Sequence, residues 1–156
     1  MNRTFKNPKE FSEFVKNRMK LSRRDENKNI KLALTEASIF LTQKAKEKFG
    51  HYQTGWSELS ETTKKDRVAK GFSENEPLLR TGDLRDSVRF TVGKNFATVG
   101  STSEIMLYQE KGTSRTGWSS KGIPPRPVFL ITQLENGEEA VQIFFKTFIQ
   151  LMRGEL

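Results

Sequence analysis

Two stretches of helical periodicity bracket a middle region that glycine and proline cut into short pieces, and few folds accommodate that arrangement. The first stretch predicts a long helix from about Asp25 to Phe49, ended by Gly50. Its apolar stripe is Ile30, Ala33, Leu34, Ala37, Phe40, Leu41, Ala45 and Phe49, which at about 100° per residue forms one broad face. Leu32 and Ile39 lie seven residues apart on the opposite face, so this helix is either sandwiched within the fold or meets a second subunit. The second stretch predicts a helix from about Leu134 to Arg153. Its apolar residues, Ala140 to Met152, cover half the circumference, with Glu135, Glu138 and Glu139 near the start and Lys146 and Arg153 later, as the helix dipole favours. Upstream, Asn7-Pro8 is a helix start, with Phe11, Phe14, Val15 and Met19 at helical spacing. The polar run Ser22–Asn29 reads as a connection.

The middle is mixed. Ser60–Lys70 reads as a short exposed helix anchored by Val68, and Thr81-Gly82-Asp83 as a cap and a helical turn. Val88, Phe90 and Val92 alternate, Gly93-Lys94-Asn95 turns the chain, and Phe96–Gly100 returns, which is a hairpin. Ser103–Lys111 is a short helical or extended segment. Gly112–Gly122 is a flexible loop by composition, and Val128–Thr132 is expected to pair at a sheet edge. The fold class expected is α+β: a small, mainly antiparallel sheet packed with two long helices, plus an extended flexible loop. The chain of 156 residues is expected to form one domain. Within it, residues 1–50 make a basic helical region, about 51–133 an α+β core, and about 134–153 the last helix.

Charge and chemistry narrow the function. The net charge is +8, of which +7 falls in residues 1–50 (13 Lys and Arg against 6 Asp and Glu). Such an excess suits either a solvated helix face or approach to a polyanion such as DNA, with Arg23, Arg24, Lys28 and Lys31 as the candidate contacts. With no cysteine and one histidine, His51, thiol chemistry and multi-histidine metal sites are excluded. No apolar run approaches the length of a membrane span, and no catalytic residue, cofactor or metal is expected. Gly112-x-x-x-x-Gly117 is followed by Trp118-Ser119 where a phosphate-binding loop needs Lys then Ser or Thr. Asp83 and Asp86 sit among Arg80, Arg85 and Arg89, where ion pairing accounts for them. Arg115 and Trp118 in the loop are candidate partner contacts, Trp118 as an anchor. Arg126, held between prolines, suits a buried pair or a partner contact.

The order of the middle segments is distinctive. Gly55-Trp56-Ser57-Glu58-Leu59-Ser60 is followed by Leu78-Leu79-Arg80-Thr81-Gly82-Asp83-Leu84-Arg85-Asp86-Ser87, then Tyr108-Gln109-Glu110-Lys111-Gly112-Thr113, then Ile123-Pro124-Pro125-Arg126-Pro127-Val128-Phe129-Leu130. This series resembles the tailed-phage virion morphogenesis family, the Mu-type tail-completion proteins. It is also similar to the head–tail joining and tail-terminator proteins of siphophages and prophages. Lys111 stands where the family often has a histidine, and Val128 separates the closing motif from its Phe. The resemblance implies a non-enzymatic virion protein that assembles as a ring, hexameric in the family, at the neck or at the tail terminus. Its implied partners are further copies of itself and the connector or portal-side and tail-tube proteins. DNA would pass without being read, no membrane is involved, and the subunit would wait in the host cytoplasm before joining the virion. A basic DNA-binding module is the alternative.

Overall fold

The computed structural model describes residues 8–114 and 122–156, and for residues 11 and 18–24 the backbone alone. It is an α+β fold with the order α1 (Pro8–Lys46), α2 (Glu61–Ala69), α3 (Asp83–Asp86), β1 (Val88–Val92), β2 (Ala97–Ser101), α4 (Glu104–Lys111) and α5 (Phe129–Arg153). The two strands form an antiparallel hairpin with Val88 opposite Ser101 and Phe90 opposite Val99. Gly93 N–H donates to the Phe96 carbonyl at 2.8 Å to close its turn. Phe96 itself precedes β2 and is exposed.

α1 is unbroken, so Ser22–Asn29 is not a connection. That run is polar but holds neither Gly nor Pro, and its Arg, Glu and Lys residues are good helix formers. The helix ends at Lys46, and a turn carries the chain to Gly50, whose φ of 86° suits glycine. α5 runs antiparallel to α1. Lys48 pairs with Glu135 at one end, and the Asn29 amide donates to the Met152 sulfur at 3.5 Å at the other. α1 packs directly on the hairpin. The principal partner of α5 is α1, and an open groove separates α5 from β2, so α1 is the long helix that packs closely on the sheet.

Val128–Thr132 is not an edge strand. It enters α5, and the reason lies on α4. The Glu110 carboxylate accepts from the N–H groups of Val128 (2.7 Å), Phe129 (3.1 Å) and Leu130 (3.0 Å). Three of the four N–H groups that a helix start leaves unpaired thus find one negatively charged acceptor. The core gathers at this end of the molecule, from Ala45, Phe49, Trp56, Val88, Met106 and Val128.

In α2 the register differs from the expected one. Val68 is 56% exposed and Arg67 is 5% exposed. Arg67 Nε donates to the Ser73 carbonyl at 2.7 Å, and Nη2 donates to the Leu79 carbonyl, which fixes the 73–79 loop. Leu78 within that loop has a φ of 59°, a conformation that costs a branched residue about 1 kcal/mol or more and that surrounding contacts must hold. Buried Pro77 accepts from Gly50 N–H at 2.8 Å on the other side.

Replacing Glu110 with Ala orphans three N–H groups at once. Glu110→Ala should destabilise the fold by roughly 2 kcal/mol, and Glu110→Gln by less, since an amide oxygen still accepts. Urea unfolding followed by circular dichroism measures both.

Candidate assembly surface

α5 has apolar residues all along its outward side. Leu130, Leu134, Val141, Phe145, Ile149 and Met152 fall within about a 100° arc, which Glu138 shares, opposite the buried Thr132 and Ala140. All six are exposed, Leu134 to 75% and Phe145 to 55%. The stripe continues around the helix into the groove between α5, α1 and β2. The groove encloses about 570 Å³ and its walls include Leu34, Leu41, Val99, Phe129, Val141 and Phe145. Phe144 packs edge-on against Phe145 (5.3 Å between ring centres) and stacks on Phe148 (6.1 Å), so aromatic rings form its rim. Two hydroxyls on the wall are already committed: Ser38 Oγ donates to the Leu34 carbonyl at 2.6 Å, and Thr132 Oγ1 to the Val128 carbonyl at 2.7 Å. The groove is therefore mainly apolar, with the Gln133 amide as a further polar group on its wall.

A second surface lies on α1. Leu32 (42% exposed) and Ile39 (45% exposed) stand on the side away from buried Ala33 and Ala37, as their spacing indicates. Ile39 and Phe90 border a depression of about 410 Å³ with Thr42 and Lys46. Lys28 and Lys31 are exposed on the same helix. Positions 23 and 24 belong to α1, but the side chains of Arg23 and Arg24 lie outside the described residues, as do Arg115 and Trp118. A third apolar patch, Ile105, Leu107 and Tyr108, faces outward from α4 while Met106 points into the core.

Arg126 is engaged within the subunit, as a buried group. It is 6% exposed, and its Nη2 donates to the Ser57 carbonyl at 2.9 Å and the Glu58 carbonyl at 3.4 Å. It holds the loop behind buried Trp56 in place, and burial pushes its guanidinium below the usual arginine range. Its backbone N–H donates to the Gln109 carbonyl at 2.6 Å, and Thr113 N–H donates to the Ile123 carbonyl at 2.9 Å. The proline-rich segment thus lies along the end of α4 and ties Ile123 to Thr113 as a neck; the flexible loop expected over Gly112–Gly122 lies for the most part outside the described residues.

The remaining titratable candidates serve structure. Arg85 Nε donates to Asp86 at 3.0 Å, and that contact holds the Asp86 carboxyl below its ordinary range. The Thr81 hydroxyl donates to Asp83 at 2.7 Å. Ser87 Oγ donates to the Leu84 carbonyl at 2.6 Å and lies 2.7 Å from Ser101 Oγ, joining the end of α3 to β2. Among the described residues no group of His, Asp and Glu is arranged to hold a metal, and no helix is long and apolar enough to cross a membrane.

The α5 outward face was not separable in the sequence from the half of the helix that the fold uses. The signal was present: apolar residues over half a circumference exceed what one buried face requires. No family model, curated protein or solved structure matches the chain.

Arg126→Ala leaves the carbonyls of Ser57 and Glu58 without their donor. It should lower stability by about 2–3 kcal/mol while leaving the native mass of the folded protein unchanged. Thermal melting and native mass spectrometry separate the two effects.

Proposed function

We propose that this chain is a structural subunit of a tailed-phage or prophage particle, closing into a ring at the neck or at the head-proximal end of the tail. The observation that carries this is the apolar outward face of α5, continuous with an open groove, on a body whose own core is small. A monomer that stayed a monomer would expose that surface to water, whereas neighbouring copies would cover it. The family-like segments support the same reading. Their residues form the scaffold beneath this surface: Trp56 in the core, Ser87 joining α3 to β2, Glu110 starting α5, and Arg126 fixing the Trp56 loop. Leu32 and Ile39 offer a further contact on the other side of each subunit, as a ring with two different faces per copy requires. A lumen carrying Lys28 and Lys31 from every copy would attract DNA through released counterions without reading its sequence.

Native mass spectrometry and electron microscopy of the full chain test the assembly. One closed species of six copies with a central opening is expected, and a monomer persisting at tens of micromolar would overturn the proposal. Leu32→Lys with Ile39→Lys should leave the far-ultraviolet spectrum intact, because both residues are exposed, and reduce the assembled fraction. Duplex binding should be weak, blind to sequence and lost well below about 0.5 M salt. Tight binding to one sequence would point instead to a DNA-binding regulator.

A further inference from the structure

The antiparallel pairing of α1 with α5 has a geometric remainder. Asn29 lies level with Met152, one residue before α5 ends, so Pro8–Lys28 run on past the end of α5. At 1.5 Å per residue these 21 positions make an arm about 30 Å long. An isolated helix of this length is marginal in water and is ordinarily held by packing of an amphipathic face. The sequence places Phe11, Phe14, Val15 and Met19 at helical spacing along it. The arm cannot fold back on its own α5, because α1 continues without a break from Pro8 to Lys46.

We propose that the arm of one copy lies on the outward face of α5 of a neighbouring copy, antiparallel to it, with its apolar side toward the groove rim. Three features of the chain select this occupant. The lengths match: the exposed stripe from Leu130 to Met152 also spans about 33 Å at 1.5 Å per residue. The charges complement: Pro8–Lys28 carries seven Lys and Arg against four Asp and Glu, whereas residues 129–145 carry Glu135, Glu138 and Glu139 and no basic residue. The charge order favours one direction, although Asp25 and Glu26 then come near Glu135, and the parallel direction would bring Lys16 near Glu138. Placed antiparallel, the basic residues from 16 to 24 come level with Glu138 and Glu139, and Glu10 and Glu13 come level with Lys146. In the parallel arrangement like charges meet at both ends. Donor and acceptor surfaces are different parts of the chain, so each copy can give an arm to one neighbour and receive one from the other, which builds a ring when the rotation closes.

This docking rests on the ring assembly proposed above, and its test keeps the two apart. The chain has no cysteine, so an engineered one is unique. Full-length Val15→Cys and full-length Phe145→Cys are prepared separately, mixed, allowed to assemble and oxidised. A disulfide-linked dimer holding one chain of each kind is expected, with neither preparation cross-linking alone and none formed when Leu107→Cys on α4 replaces Phe145→Cys. Phe145→Asp, at an exposed position, should keep the monomer's circular dichroism and raise the half-assembly concentration about ten-fold or more. If native mass shows the closed assembly but the mixed dimer does not form, or Leu107→Cys captures Val15→Cys instead, the arm lies elsewhere and the ring stands. A chain that remains monomeric overturns both.

Discussion

Three backbone N–H groups at the start of α5 converge on the carboxylate of Glu110, which sits on α4, the preceding element. Most of the fold's arrangement hangs on that convergence. It fixes where α5 begins, so the helix is 25 residues long and reaches back along α1 as far as Asn29. It also brings Val128 into the core beside Met106, joining the last helix to the hairpin end of the molecule. A charged acceptor for several helix-start donors is among the stronger local interactions available, because both the hydrogen bonds and the helix dipole favour it.

Around that centre, two buried arginines do what a larger apolar core would do elsewhere. Arg67 and Arg126 each donate to two loop carbonyls, and neither is paired with a carboxylate in these contacts. Burying a charge without a counter-charge is unfavourable unless its donors are satisfied, and multiple carbonyls partly supply that. The gain is positional: the 73–79 loop and the loop after Trp56 are held from inside. Few apolar side chains are used for loop fixing, and those on the outward side of α5 remain exposed.

Much of the architecture was legible because it follows from spacing. The stripe from Ile30 to Phe49 gave the buried face of α1, and the alternation of Val88, Phe90 and Val92 with the Gly93 turn gave the hairpin. What failed was local in appearance and non-local in cause. Val128, Ile131 and Thr132 are β-branched and look like a strand, but Glu110, far back in the chain, decides for helix. Ser22–Asn29 looks like a connection only if polarity is taken for irregularity. In α2 a one-residue difference in register exchanged Val68 for Arg67 as the inward residue. For the candidate surface, Leu32 and Ile39 were readable from their seven-residue interval. The outward face of α5 was not, since apolar residues on both halves of a helix do not say which half the fold will use. Arg126 was ambiguous because the carbonyls of Ser57 and Glu58, which engage it, belong to a loop far away in the chain.

The neck formed by Thr113 and Ile123 has a consequence for how such a chain can vary. Thr113 N–H donates to the Ile123 carbonyl at 2.9 Å, and Ile123 N–H returns a bond to Thr113 Oγ1 at 3.0 Å. At Gly112, a Cβ would press on the Ile123 carbonyl and Pro125, so the two sides of the neck touch with no room for a side chain. The segment between them begins and ends at one fixed point of the scaffold. Doubling its length would add only about 0.6 kcal/mol of closure entropy. Because these two bonds tie its sides together, the neck itself sets the spacing between the end of α4 and the approach to α5.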